Sequence, residues 1–150
     1  MSHDLKALSR RWFEEVWNKR RQDAIHEMAQ PDAMTWGLGE GGRAGGLDLF
    51  IPFWRRFLDT FPDLHIAVED VIAEGDKTAI RVRCTGTHRG AAMGVPPTGN
   101  RVDITGLILV RWKDGKIMEG WNEFDAYGMM QQLSAASPPG TSPQMMRVKQ

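Results

Sequence analysis

The stretch NRVDITGLILVRWKDGKIMEGWNEFDAYGMMQQL, residues 100–133, decides the fold of this chain. Two runs of alternating apolar and polar residues flank the turn Lys113-Asp114-Gly115. Asp-Gly between such runs is the strongest short-range signal of a β-hairpin, because glycine accepts the positive φ that these turns require. Asp125 then predicts the cap of a short closing helix. One amide, Asn122, stands on the apolar face of the second strand, and we expect function there.

Upstream of the hairpin, apolar residues at helical spacing predict three helices. These helices cover about residues 2–20, with Ser2 as the cap, residues 22–30 and residues 47–60. Pro31 stops the second helix, because proline disfavours helical geometry in the residue before it. A short strand, residues 33–38, follows. The glycine-rich segment 37–46 lacks the GKS or GKT ending of a phosphate-binding loop, so we interpret it as a connection.

From Leu64 onward the period of the apolar positions changes to two, which is typical of strands. Strands are predicted before and after the turn Glu74-Gly75-Asp76 and again on both sides of the Asp114-Gly115 turn. Helices followed by long antiparallel strands indicate an α+β fold with the helices on one face of the sheet. Residues 1–134 are the predicted domain, and residues 135–150 a flexible tail.

Even-numbered positions form the apolar face of the last three strands. On the last strand they are Met118, Gly120, Asn122 and Phe124. A buried amide without partners costs about 1–3 kcal/mol, so Asn122 either binds a backbone group or faces a cavity. His88, at a strand end, is either a solvent-facing or loop-anchoring residue or an acid–base group of a pocket. Cys84 is most simply a small core residue.

The opposite face of the sheet carries charges of both signs. They are Arg81, Arg83, Arg111, Asp103, Glu119 and Glu123. Opposite charges on neighbouring strands pair for about 0.2–1 kcal/mol each, which makes this a solvated face rather than an acid–base site. Leu107, Leu109 and Trp121 lie on the same face. They indicate that a second subunit covers part of it.

Composition excludes several classes of function. Lysine plus arginine and aspartate plus glutamate number 19 each, which does not suit a nucleic-acid or anionic-membrane partner. The single cysteine forms no intramolecular disulfide and fits a reducing compartment. No apolar run approaches the roughly 20 residues that span a bilayer, so we expect a cytoplasmic protein. The four histidines lack metal-ligand spacing, and no metal site is predicted.

Two segments resemble the SnoaL-like polyketide cyclase family of the nuclear-transport-factor-two-like superfamily. They are FPDLHIAVEDVIAEGDKTAIRVRCTGTHRG, residues 61–90, and MGVPPTGNRVDITGLILVRWKDGKIMEGWNEFDAYGMMQQL, residues 93–133. The resemblance covers about residues 5–134. It implies a cone-shaped α+β barrel, in which a curved antiparallel sheet packs on three N-terminal helices, a deep apolar pocket and a homodimer through the sheet. It also implies aldol ring closure without metal or cofactor.

The resemblance places a general acid/base aspartate at the position of Asn122. An amide can hydrogen-bond a carbonyl or enolate oxygen, but it cannot accept a proton at neutral pH. The supporting histidine and glutamine of the family correspond here to Ile108 and Gly106. We therefore expect Asn122 to orient the substrate or donate to an oxyanion, and His88 to carry the proton. The predicted lining of the apolar cavity is Trp12, Trp36, Trp54, Met93, Ile108 and Phe124.

Three functions stay open at this point. The first is a cofactor-independent cyclase, isomerase or lyase that acts on an apolar ketone or polycyclic molecule. The second is a non-catalytic protein that binds such a molecule, which the amide at position 122 favours. The third is a dimeric interaction module with a filled core. A cavity that Asn122 lines supports the first two functions, and a filled core supports the third.

Overall fold

The structure is a computed structural model that describes residues 3–38, 44–91 and 94–135. Within these ranges the helices are α1 (Leu5–Trp12), α2 (Gln22–Met28), α3 (Leu47–Thr60) and α4 (Ala126–Ser134), and a π-helical segment, Phe13–Asn18, continues α1. The strands are β1 (Ala29–Trp36), β2 (His65–Glu74), β3 (Lys77–Thr87), β4 (Arg101–Lys113) and β5 (Lys116–Phe124). The predicted α+β fold is confirmed.

The five strands form one curved, unclosed sheet in the order β1-β5-β4-β3-β2. Strands β2 to β5 pair antiparallel, as predicted. The edge strand β1 departs from that expectation because it runs parallel to β5. The chain reaches β5 from β1 only through α3 and three strands, so no tight turn forces the two to be antiparallel.

The N-terminal elements differ from the prediction at their ends. Asp4 caps α1, since its side-chain oxygen accepts from the backbone N–H of Ala7 at 3.1 Å; Ser2, the predicted cap, lies outside the described residues. The chain then changes from α-helix to π-helix at Phe13, for which a 3.6-residue apolar period gives no signal. Helix α2 ends at Met28, and Pro31 lies within β1, where an edge strand tolerates a residue without an N–H group.

The hairpin of β4 and β5 is confirmed. Lys113 pairs with Lys116, and both turn residues have positive φ, 52° at Asp114 and 75° at Gly115. The alternation is broken once, where Trp112 pairs with Ile117 and Arg111 with Glu119, so that Met118 is an extra residue. Ile117, rather than the predicted Met118, is therefore the buried residue at the start of β5. From Gly120 onward the even positions face the helices.

Charges on the outer face pair across strands. Arg83 binds Asp103 at 2.6 Å and Arg111 binds Glu119 at 2.6 Å, as the alternation predicted. Arg81 pairs with Glu69 of β2 instead. Such exposed pairs are worth about 0–1 kcal/mol each, so they add little to the stability of the fold.

The C-terminal tail and the membrane-crossing potential of the helices complete the description of the fold. The predicted flexible tail, residues 135–150, lies outside the described residues except for Ala135. None of the helices in the described ranges has the length and apolar character that a membrane crossing requires.

Candidate functional site

A cavity of about 670 Å³ lies between the helical layer and the inner face of the sheet. Aromatic side chains supply much of its wall: Trp12, Phe13, Trp17, Phe50, Phe53, Phe57 and Phe124. Apart from the tryptophans, the described residues that line it carry only four polar side chains or thiols, those of Thr35, Arg56, Cys84 and Asn122. The core is therefore not filled, so the structure lacks the feature that would have favoured the third function that the sequence left open.

Glycines on the inner face shape the floor of this cavity. A β-carbon added at Gly120 would meet no atom within 4 Å, so this position opens directly into empty space. At Gly106 an added β-carbon would lie 2.4 Å from the ring of Phe124, so this glycine admits the aromatic side chain. The sheet thus leaves volume beside Asn122 that larger residues would occupy.

Asn122 is tied to the edge strand and also lines the cavity. Its amide nitrogen donates to the hydroxyl of Thr35 at 3.1 Å and to the backbone carbonyl of Trp36 at 2.8 Å. A backbone carbonyl only accepts, which fixes the orientation of the amide. Both alternatives from the sequence therefore hold together, since the side chain binds a backbone group and contacts the cavity.

The hydrogen bonds of Asn122 change the role that the amide can play. Both of its N–H groups are engaged in this structure, so donation to an oxyanion would require one of these two hydrogen bonds to break. The free atom is the acceptor Oδ1, which has no donor among the described residues. The free donor is the hydroxyl of Thr35, which accepts from Asn122 and has no acceptor of its own in the described part of the chain.

Three predicted residues lie away from the lining. Trp36 is on the outer face beside Trp121 and 39% exposed, because the alternation of β1 directs Thr35 inward opposite Gly120. Trp54 is buried, and its indole N–H donates to the Val16 carbonyl at 3.0 Å. That carbonyl belongs to the last turn of the π-helical segment, where helical donors run out. His88 is the third.

His88 anchors the loop that follows β3. The side chain is fully buried, and its Nδ1 accepts from the backbone N–H of Thr98 at 3.2 Å. An atom that accepts from an amide carries a lone pair, so the neutral ring holds its proton on Nε2. Nε2 has no partner among the described residues. The loop-anchoring interpretation fits this geometry, and the ring has no contact with the cavity through which to carry a proton.

The other predicted site residues are placed as follows. Trp12, Ile108, Phe124 and Asn122 line the cavity together, and Ile108 pairs directly with Asn122 across β4 and β5. Met93 lies outside the described residues. The substrate-binding and catalytic roles of these residues stay predictions.

Cys84 lines the cavity as a buried thiol. Burial, assisted by the negative charge of Asp103, raises the pKa of this thiol to about 12. The group is therefore protonated at neutral pH and is not a nucleophile there, since the thiolate is the reactive form. No group of three or more His, Cys, Asp or Glu side chains is placed to hold a metal ion in the ranges that the structure describes.

Sequence reasoning missed two polar residues of the lining. Thr35 gives no signal of its own, because the alternation within an edge strand does not show which of its faces points inward. Arg56 lies on α3, seven residues after Leu49 and three after Phe53, which also line the cavity. Its helical spacing from those apolar residues is the signal that could have found it.

Comparisons with known proteins agree with this architecture. The family model of the SnoaL-like polyketide cyclases matches residues 7–133. A search of the curated proteins finds no match.

Solved structures of similar proteins cover most of the chain. IdmH, a proposed polyketide cyclase from Streptomyces antibioticus, is 30% identical with a TM-score of 0.77, over 89% of this chain and 100% of that one. A proposed SnoaL-like polyketide cyclase from Jannaschia sp. CCS1 is 29% identical with a TM-score of 0.79, over 88% and 92%. AclR, a proposed hydroxylase from Streptomyces galilaeus, is 27% identical with a TM-score of 0.76, over 96% and 88%. The chain belongs to the SnoaL-like polyketide cyclase family.

Proposed function

We propose that the protein binds an apolar ketone or polycyclic molecule in its cavity and acts on it as a cofactor-independent cyclase or isomerase. The observation that carries this proposal is the cavity itself, about 670 Å³ of largely apolar space with Thr35 and Asn122 on its wall. Sites for small molecules measure about 300–1,000 Å³ and combine an apolar lining with a few polar groups. A molecule of several fused or closing rings fits that description.

Thr35 and Asn122 supply a donor and an acceptor for such a molecule. The Thr35 hydroxyl accepts a hydrogen bond from the amide N–H of Asn122, and this polarises it. The hydroxyl is therefore a stronger hydrogen-bond donor to a ligand carbonyl. Donation to that oxygen stabilises the negative charge of an enolate as it forms. The Oδ1 atom of Asn122 accepts from a ligand hydroxyl. Binding the ligand's carbonyl and hydroxyl at these two side chains holds a flexible polyketone with its reacting carbons close together. This lowers the entropic part of the activation barrier.

A second candidate is a non-catalytic protein that binds the same class of molecule. One observation favours it: no carboxylate or imidazole is among the described residues that line the cavity. An α-proton would then have to be removed by water or by a group of the substrate. The reaction would lack the rate acceleration of about 10²–10⁴ that a positioned base contributes. The two candidates share the binding site and differ only in turnover.

Gly120→Phe tests the binding site. The new ring extends into open space beside Thr35, which pairs with Gly120, and so blocks access to the polar pair. We expect affinity for the neutral fluorophore phenylnaphthylamine and for a hydroxyanthraquinone to fall at least about tenfold, while the unfolding free energy stays within about 1 kcal/mol of the parent. Fluorescence titration and urea unfolding measure the two quantities.

Gly120→Ala is the matched control, because a single methyl group leaves most of the cavity open. It is expected to bind both compounds like the parent protein. Binding that survives Gly120→Phe unchanged, or a parent protein that binds neither compound, contradicts the proposed site.

We also propose that the protein forms a homodimer through the outer face of the sheet. One apolar row crosses all five strands there: Ile72, Ala79, Leu109, Trp121 and Trp36 are successive strand partners. Ile72 is 64% exposed and Leu109 40%. A continuous exposed row of this kind is typical of a protein interface. Acidic and basic side chains lie on both sides of this apolar row. In a two-fold dimer, the acidic side chains of one copy could therefore face the basic side chains of the other.

Leu109→Lys tests the dimer. A two-fold interface would bury two unpaired ammonium groups, which is strongly unfavourable. We expect the dissociation constant of the dimer to rise about a hundredfold or more in sedimentation experiments. Thr105→Lys is the control, on the same strand and face but outside the apolar row. A parent protein that sediments as a monomer, or equal effects of the two lysines, contradicts the proposal.

A further inference from the structure

We infer that the ligand of the cavity is an apolar acid, with its carboxylate or other anionic group bound by Arg56. This inference rests on the proposed binding function and specifies its substrate class. Arg56 lies near the C-terminal end of the part of α3 that lines the cavity, which runs from Leu47 to Phe57. Arg56 is exposed and also lines the cavity, so we take it to lie at the mouth, where the cavity meets solvent.

The guanidinium of Arg56 has no partner among the residues that the structure describes. It makes no ion pair or hydrogen bond with any residue in the described ranges, although Asp59 is only three residues away on the same helix. The neighbouring Arg55 differs, since it donates to the side chain of Gln22. Five donors without an acceptor in the described part of the chain suit a carboxylate, which guanidinium groups bind through two parallel hydrogen bonds.

Arg56 is also the only formally charged residue among the described ones that line the cavity. No carboxylate among the described lining residues neutralises Arg56 or repels an incoming anion. An anionic group at the mouth would thus find a single partner, and the apolar part of the ligand would reach inward to Thr35 and Asn122. The chemical class is an aromatic or polycyclic carboxylic acid, or a polyketone that ends in a carboxylate.

Two fluorophores that share a ring system test this inference. Anilinonaphthalene sulfonate carries an anionic group, and phenylnaphthylamine is its neutral counterpart. We expect Arg56→Gln to weaken binding of the sulfonate about tenfold to a hundredfold, as loss of a charge-assisted hydrogen bond does, and to leave the neutral compound within twofold. Arg56→Lys should retain part of the preference. Arg55→Gln is the control on the same helix and should change neither affinity.

The outcomes separate this inference from the binding site on which it rests. Equal loss of both fluorophores in Arg56→Gln, or no loss of either, overturns the anionic substrate while the site stands. Sulfonate binding that persists in Gly120→Phe reports a surface outside the cavity and also overturns it. Failure of the neutral compound to bind the parent protein removes the proposed site, and the inference with it.

Discussion

Gly37→Ala is expected to lower the free energy of unfolding by more than about 3 kcal/mol, a large effect for a single methyl group. Gly37 has a φ of +82°, which costs a residue with a β-carbon about 1–2 kcal/mol. The added β-carbon would also lie 2.1 Å from the backbone oxygen of Asn122. Backbone atoms cannot rotate away as a side chain does, so the end of β1 must move from β5.

That displacement would reach the candidate site. The amide of Asn122 binds Thr35 and the carbonyl of Trp36, the two residues that precede Gly37. Moving them breaks both hydrogen bonds and leaves a half-buried amide without acceptors, which adds about 1–3 kcal/mol. Gly37→Ala should therefore weaken binding of phenylnaphthylamine as well as stability.

Gly75→Ala separates the clash from the backbone conformation. Gly75 also has a positive φ, 61°, but an added β-carbon there meets nothing within 4 Å. We expect a loss of only about 1–2 kcal/mol for this control. Urea unfolding with a common slope gives both values. Similar losses for the two variants would mean that the contact with Asn122 relaxes without cost.

The sequence allowed the hairpin, α3 and the inner face of β3 and β4 to be predicted for one physical reason. A tight turn fixes the register of the two antiparallel strands that it joins, so the inward-facing positions of one strand determine those of the other. Gly115 and the apolar run that precedes it therefore fix which side chains face the helices. Asp125 shows the same locality, since its carboxylate accepts from the N–H of Gly128 three residues later, as predicted for a helix cap.

What could not be predicted depends on contacts between distant parts of the chain. The facing of Trp36 is set by the pairing of β1 with β5, which no local turn specifies. The displacement of Met118 results from a bulge within an otherwise regular strand. The orientation of the Asn122 amide required the position of the Trp36 carbonyl, 86 residues earlier in the chain. These three features decide which side chains and atoms face the cavity. The fold was therefore more predictable from the sequence than the site.

Asn122→Asp is expected to be destabilising in a pH-dependent way and to introduce proton transfer. An introduced carboxylate would face the carbonyl of Trp36, which cannot donate, and the apolar cavity, which solvates charge poorly. The Thr35 hydroxyl can donate to this carboxylate, but we expect the other two effects to prevail and to raise its pKa above the usual value of about 3.9. The protonated form can still donate to the Trp36 carbonyl. The variant should thus be nearly as stable as the parent at low pH.

The sign of the pH dependence follows from this raised pKa. Below the unfolded-state pKa both states are protonated, and the difference in stability from the parent is small. As pH rises from there through the folded-state pKa, the unfolded state ionises first and the stability of the variant falls. Above the folded-state pKa the loss is constant, about 1–3 kcal/mol. Asn122→Ala lacks the carboxyl and should show a loss that does not depend on pH over this range.

The same raised pKa decides whether the cavity supports catalysis. A carboxylate whose pKa lies nearer to neutrality is a better general base, and such a positioned base contributes about 10²–10⁴ in rate. Asn122→Asp should therefore accelerate deuterium exchange at the α-carbons of a bound bicyclic ketone such as tetralone, which NMR follows directly. Asn122→Ala should not. The contradicting result is a variant that binds tetralone with its carboxyl ionised and still exchanges deuterium no faster than the parent protein. That result would mean that position 122 does not direct a base toward an α-carbon of the ligand. The binding function would then be the one that the cavity serves.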